Sequence, residues 1–291
     1  MEERVPEGRE KRRSAHENQK SRPQELNSTP LLPIIPPVSA AISVIVPVFN
    51  ESENVAPMLR EVAAAMKSQS SAWELVFVDD ASTDDTWNRI AEAHRAESRV
   101  RGLRHKRNAG QSAAVWTGII ATTTPILCTL DGDLQNDPAD LPGMIAELNT
   151  VDFVSGMRLS RQDTWVRKVS SRIARRARRA ALGVDFRDTG CAIRAFKREA
   201  LAGVFPFNGL HRFLPVLVHG GGFKTLEVPV NHRPRVAGVS KYGVWNRLGR
   251  GIYDLLAMAW YQKRRYRAPG YIELADERAP KRVLPEISGD F

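Results

Sequence analysis

Residues 125–135 read Pro-Ile-Leu-Cys-Thr-Leu-Asp-Gly-Asp-Leu-Gln. The first six, PILCTL, carry no charge and then stop against two acids, Asp131 and Asp133. A short run without polar alternation predicts a strand covered on both faces, as in a parallel sheet. The acids at its carboxyl end fall where an open α/β sheet binds ligands. Carboxylates at i and i+2 on such a turn can face one side of a cleft, where they repel each other unless a divalent cation joins them. Oxygen ligands favour Mg²⁺ or Mn²⁺ over zinc. Gly132 between them leaves room for a phosphate to approach the backbone. The alternative is a polar turn whose aspartates are solvated.

The same pattern recurs on both sides. Strands are predicted over 42–47 (ISVIVP), 74–78 (ELVFV), 100–103 and 152–156. Between them, 55–66 carries helical spacing with Val55, Leu59, Val62 and Met66 on one stripe, and 86–94 and 111–121 also read as helices. Strands alternating with helices predict βαβ units, hence a doubly wound, mostly parallel sheet with helices on both faces. Two more strands end in acid: Phe49-Asn50-Glu51 follows the first, and Asp79-Asp80-Ala81-Ser82-Thr83-Asp84 the second. Three strand ends therefore bring carboxylates to one edge, where they can accept hydrogen bonds from a base and ribose. Ser82-Thr83-Asp84 also reads as a helix N-cap, and the two roles are compatible.

Composition narrows the field. Hydrophobic residues at 42% and charged ones at 26% exclude a disordered, collagen-like or polytopic membrane chain. Lys and Arg outnumber Asp and Glu by 43 to 33, an excess that suits a polyanionic partner: nucleic acid, an anionic membrane surface or a phosphorylated substrate. Two cysteines, Cys128 and Cys191, cannot build a disulfide framework, which favours a reducing compartment. Residues 1–40 read as a disordered leader without an apolar signal segment. No window reaches the roughly 18 apolar residues of a membrane span.

The motifs Val46-Pro47-Val48-Phe49-Asn50-Glu51, Val78-Asp79-Asp80-Ala81-Ser82-Thr83-Asp84, Arg107-Asn108-Ala109-Gly110 and Asp131-Gly132-Asp133-Leu134-Gln135-x-x-Pro138 resemble those of family 2 inverting glycosyltransferases. Within it, residues 41–262 are most similar to the dolichol-phosphate mannosyltransferase-like branch, which moves a sugar from a nucleotide to a polyprenyl phosphate. A later run, Arg235-x-x-Gly238-x-Ser240-Lys241-Tyr242-Gly243, shares that likeness. Ala81 stands where the family commonly has Gly. The resemblance implies a GT-A type fold in a catalytic domain over 41–235, then a lid loop and amphipathic helix over 236–267 and a polar tail over 268–291. It implies that Pro47, Phe49, Glu51 and Asp79 or Asp80 hold the nucleoside, and that Asn108 and Gly110 shape the donor pocket. Asp131 would meet the nucleotide sugar beside Gly132 and, with Asp133 and Gln135, bind Mg²⁺ or Mn²⁺. Arg158, Arg167, Ser171, Arg235 and Lys241 would approach the phosphates of acceptor and donor. Asp188 would lie near the reaction centre, either positioning the acceptor or serving as general base if the acceptor is a hydroxyl.

From Arg158 to Arg179 basic residues outnumber acids nine to one, Asp163 being the exception. Read as a helix from Trp165, that segment has arginines flanking an apolar stripe, as on a helix against an anionic leaflet, though a solvated basic face reads the same way. RNA binding lacks the interleaved aromatics it would need, so no nucleic-acid partner is expected. Residues 252–261 (IYDLLAMAWY) followed by Lys263-Arg264-Arg265 make either an interfacial anchor or a core helix. The partners expected are a nucleotide-diphosphate-sugar donor, a polyprenyl phosphate and an anionic membrane surface, with attachment peripheral on the inner face of the cytoplasmic membrane or mediated by a small membrane protein. Two other readings stand beside transfer to a lipid phosphate: a hydroxyl-acceptor glycosyltransferase with Asp188 as base, and a non-catalytic protein that binds nucleotide sugars or membrane surfaces.

Overall fold

The computed structural model describes residues 41–158, 179, 183–233 and 244–264. Strands β1 (Ile42–Val48), β2 (Trp73–Asp79), β3 (Val100–Arg104), β4 (Ile126–Thr129), β5 (Phe153–Arg158), β6 (Arg194–Lys197) and β7 (Thr225–Val230) form one sheet in the order 3-2-1-4-6-5-7. All neighbours are parallel except β6, which runs antiparallel to both β4 and β5. Each of the five predicted strands is present, and their shared direction puts Val48, Asp79, Thr129 and Arg158 at one edge. Thr129 pairs with Arg194, so the reversed strand presents its first residue to that edge.

Helices α1 (Val55–Ala65), α2 (Thr86–Ala96), α3 (Gln111–Ile120), α4 (Leu141–Glu147), α5 (Leu210–Gly220) and α6 (Val244–Arg264) cover both faces. The strand periodicity of two divides the core accordingly. Ile42, Val44, Val46 and Val48 of β1 pack with α1, α2 and α4, while Ile45 faces the cluster built from α3, α5 and α6. That is why β1 and β2 read as uninterrupted apolar runs: neither face meets water.

One detail departs from the sequence reading, and one alternative it left open is decided. The buried stripe of α1 is Val55, Met58 and Val62, continued by Met66, with Leu59 only half-buried at its margin. The helix thus turns Met58, rather than Leu59, onto the sheet. The 252–261 segment belongs to α6, and it is a core helix on one side: Met258 is buried against the α5 cluster, with Leu255, Ala259 and Tyr261 packed beside it. Its other side exposes Tyr253, Leu256 and Trp260, one outward stripe at helical spacing. Among the described residues no helix is long and apolar enough to cross a membrane.

Candidate active site

The loops after β1 and β2 are zipped together. Asn50 N–H donates to Ser82 Oγ (2.9 Å), while Asn50 Oδ1 accepts from Thr83 N–H (2.8 Å). Glu51 N–H donates to Thr86 Oγ1 at the start of α2 (2.9 Å). Pro47 is buried in β1, and Phe49 and Glu51 are half-buried just beyond it.

Asp79 and Asp80 turn inward, whereas the sequence reading offered them as acceptors for a nucleoside. Asp79 is fully buried; its Oδ1 accepts from Ser82 N–H (2.9 Å). Its Oδ2 lies 3.1 Å from Arg104 Nε, an ion pair whose N–H is not aligned as a hydrogen bond. Asp80 accepts from Ala109 N–H (2.8 Å) and Gly110 N–H (2.7 Å), with His105 Nδ1 at 2.7 Å. This carboxylate sits at the amino end of α3, where the helix dipole favours it. Asn108 Nδ2 donates to the Asp80 carbonyl, so Asn108 and Gly110 are shaped by Asp80. The physical reason is burial: a carboxylate at a strand end this deep must have its bonds met by the chain.

The turn after β4 presents Asp131 half-buried and Asp133 at 8% exposure. Gln111 Nε2 donates to Asp131 Oδ1 (2.6 Å), and Asp133 Oδ1 accepts from Gln135 N–H (3.2 Å). Gln135 is fastened to the strand leaving β7, since Arg233 N–H donates to its carbonyl (2.8 Å). Gly132 has a different reason from the one its motif suggested. A methyl there would lie 2.7 Å from Val48 Cγ1 and 3.0 Å from the Pro47 carbonyl, so β1 itself demands glycine. Asp131, Asp133 and Gln135 make an all-oxygen donor set suited to a hard divalent cation. Among the described residues no cluster of three His, Cys, Asp or Glu side chains could hold a metal. A cation here would therefore draw its remaining ligands from water and from a bound diphosphate.

Arg158, closing β5, lies on the same edge and is locked to Asp188, its Nε 2.6 Å and its second terminal nitrogen 2.8 Å from the two carboxylate oxygens. That hydrogen-bonded partner pushes the guanidinium further up from its ordinary value. Cys191, three residues on, is buried, and desolvation pushes its thiol up to about 11, as befits a packed thiol rather than a nucleophile. Arg167, Ser171, Arg235 and Lys241 lie outside the described residues, as do the leader, the lid segment and the tail.

Four further residues join the edge without having been singled out by motif: Gln111, Arg194, His211 and Arg212. With Thr129 and Asp131 they line a cavity of about 230 Å³ over the start of β6. Arg194 is 2% exposed, and burial lowers its guanidinium to about 10, still protonated at neutral pH. Ser112 Oγ accepts from Gly209 N–H (2.9 Å) and lies 2.6 Å from His211 Nδ1. Burial, with Arg212 and Arg194 nearby, drives that imidazole down to about 3. The signal in the sequence was a lone Arg inside the apolar run Cys191-Ala-Ile-Arg-Ala-Phe196.

A model of glycosyl transferase family 2 matches residues 43–205. The chain is 38% identical over 243 residues to dodecaprenyl-phosphate galacturonate synthase of Rhizobium johnstonii, covering 81% of this chain and 71% of that relative. It is 34% identical over 217 residues to undecaprenyl-phosphate 4-deoxy-4-formamido-L-arabinose transferase of Aeromonas hydrophila, covering 74% and 66%. Among solved structures, glucosyl-3-phosphoglycerate synthase of Mycobacterium tuberculosis with Mn²⁺, uridine diphosphate and phosphoglyceric acid superposes with a TM-score of 0.57 at 18% identity, covering 77% of this chain and 78% of that one. At that identity the likeness is one of fold.

Proposed function

The chain belongs to glycosyl transferase family 2, and from that premise we propose that it transfers a sugar from a nucleotide diphosphate to a polyprenyl phosphate, inverting the anomeric centre. One observation carries the reading: the acidic turn Asp131–Asp133 and the cationic strand end Arg158 occupy one sheet edge. An acidic turn suits a metal-bound diphosphate, and the cation beside it suits a second polyanion. Both relatives named above act on polyprenyl phosphates, which supports the same acceptor here.

The loops of β1 and β2 form the nucleoside side, with Pro47, Phe49 and Glu51 lining it and Asp79 and Asp80 bracing it from beneath. Asp131, Asp133 and Gln135 would hold Mg²⁺ or Mn²⁺, which neutralises the diphosphate and eases its departure. Arg158 meets the acceptor phosphate, Arg167, Arg235 and Lys241 add to that charge, and Ser171 offers a hydroxyl donor. A phosphate oxygen attacks the anomeric carbon from the face opposite the diphosphate. The new carbon–oxygen bond forms as the old one breaks, and its electron pair leaves with the nucleoside diphosphate. The attacking oxygen is already ionised near neutral pH, so no side chain has to remove a proton.

This disfavours a hydroxyl acceptor with Asp188 as base. A carboxylate gripped by a guanidinium is a weaker proton acceptor than a free one. The outward stripe Tyr253, Leu256 and Trp260, followed by Lys263 and Arg264, supports peripheral attachment to an anionic leaflet, where the lipid acceptor resides.

The test is transfer of label from UDP- and GDP-sugars into the lipid fraction with a short polyprenyl phosphate, with and without EDTA. Metal-dependent lipid product that disappears in Asp133→Ala is the expected result. Label appearing only in a hydroxyl acceptor would overturn the lipid-phosphate reading.

A further inference from the structure

The cavity over β6 follows the donor side in spatial order. Crossing the sheet edge from β2 to β1 to β4, one passes the nucleoside loops and then the Asp131 turn; the next strand is β6, where the cavity opens. On the proposed reading of this edge, the group beyond the diphosphate is the sugar. At about 230 Å³ the cavity is smaller than the roughly 300–1,000 Å³ of a drug-sized pocket, which suits a single ring.

The chemistry of its walls is lopsided. A neutral hexose presents hydroxyls that both donate and accept, and a site for one supplies acceptors as well as donors. Here the Asp131 carboxylate is the one anionic group among the lining residues, and Gln111 already donates to it. The rest is donor-rich. Among the described residues Arg194 donates one hydrogen bond, to the Thr189 carbonyl (3.1 Å); its buried Nε has no hydrogen-bond acceptor, and no carboxylate lies within ion-pair distance of it. The charges of Asp131 and Asp188 act on it only from farther off, so this deeply buried guanidinium is costly, and the cost falls when an anion enters the cavity.

His211 points the same way. Ser112 Oγ accepts the Gly209 N–H and has one proton to give, which satisfies both groups if it goes to His211 Nδ1. The neutral ring then carries its proton on Nε2, a further donor on a cavity-lining residue. Arg212 adds a second cation to the wall.

From this arrangement we infer that the sugar subsite is built for a carboxylate: the donor is a nucleotide-linked hexuronate, with Arg194 and His211 as the residues that select its acid group. This rests on the transfer reading and narrows it to a substrate class.

The experiment compares UDP- and GDP-linked hexuronates with the corresponding neutral hexoses, measuring binding by calorimetry with Mn²⁺ and transfer to polyprenyl phosphate. It uses the full chain, Arg194→Gln, Arg194→Lys and His211→Gln. The full chain is expected to favour one hexuronate over its neutral hexose by roughly a hundredfold in kcat/KM, because a site made to bond a group rejects the analogue lacking it. Arg194→Gln erases most of that ratio while the free nucleoside diphosphate binds as before, and Arg194→Lys retains part of it. Equal or better transfer of the neutral hexose by the full chain overturns the inference and leaves lipid transfer intact. So does an Arg194→Gln effect confined to the acceptor KM, which would assign the cavity to the lipid phosphate. Selective hexuronate binding with no lipid product upholds the subsite and overturns the acceptor instead. Because the first comparison needs no variant, a misfolded Arg194→Gln does not rescue the proposal.

Discussion

The guanidinium of Arg158 and the carboxylate of Asp188 face each other in parallel, with contacts of 2.6 and 2.8 Å, and the two side chains are 18% and 11% exposed. The pair joins the end of β5 to the segment entering β6, so each partner fixes the other at the ligand edge. Asp188 therefore orients a cation.

Asp188→Asn keeps the shape and removes the charge. It is expected to raise the acceptor KM about tenfold while the pH profile of kcat keeps its form, because no proton is taken at this position. Breaking a largely buried pair also costs about 3 kcal/mol of stability, readable in urea unfolding. A kcat that collapses with unchanged acceptor KM would make Asp188 the base.

Three described residues other than glycine have positive φ: Asn50 (56°), Ala81 (61°) and Leu134 (59°). They follow β1, β2 and β4, so each of the three donor-side loops contains one strained turn. Asn tolerates this conformation, whereas Ala and Leu do not. Ala81→Gly is expected to stabilise the chain by about 1 kcal/mol, and thermal unfolding checks it. Leu134→Gly relieves the same strain but removes a buried side chain from the core, and is expected to destabilise by about 2 kcal/mol. A loss of stability in Ala81→Gly would contradict the strain argument.

On the proposed reading, Asp131, Asp133 and Gln135 offer two carboxylates and one amide to a cation, too few for tight binding alone. Mn²⁺ affinity is expected to rise at least about tenfold when the cognate nucleoside diphosphate is bound, and the nucleotide's affinity must rise equally with Mn²⁺. Asp133→Asn should abolish this coupling. Titration calorimetry in both orders measures it, and independent binding of the two ligands would exclude a shared site.

His211 also gives the fold a pH dependence. Its imidazole titrates near 3 in the native state against 6.5 in the unfolded chain. Between those values the unfolded state binds a proton that the native state refuses, so stability rises with pH across this window and falls as pH drops below 6.5. At pH 5 the loss is about 2 kcal/mol. His211→Gln, which keeps a hydrogen-bonding side chain but cannot titrate, is expected to flatten the profile between pH 7 and pH 5 by about 0.7 proton on average, approaching one at pH 5. An unchanged slope would place the titrating group elsewhere.

The part of the fold from β1 to β4 was legible because both faces of its strands are covered, so β1 and β2 write themselves as nearly unbroken apolar runs with acids at their ends. The part from β6 onward was not. β6 is a four-residue strand that opens on a buried Arg194, β7 is half-exposed and contains Pro229, and α5 carries Pro215 in its middle. In each, a residue that normally breaks the element is tolerated because tertiary packing overrides local preference. The site followed the same division. Asp131 and Asp133 announced themselves by spacing and Gln135 by the family motif, whereas Gln111, Arg194 and the adjacent pair His211–Arg212 meet only through folding and are far apart in sequence. The inward turn of Asp80 was hidden too, since its partners lie about 25 to 30 residues away, at His105, Ala109 and Gly110, as does the Arg104 that pairs with Asp79.

The reversed direction of β6 bears on how such an enzyme diversifies. The chain leaves β5 at Arg158 and enters β6 at Arg194, so both points of attachment of the intervening sequence lie on the ligand edge. A segment tethered in this way can grow, shrink or be replaced without shifting the register of either strand. On the proposed reading of this edge, acceptor choice can thus evolve as an exchangeable cassette while the loops of β1, β2 and β4 stay as they are.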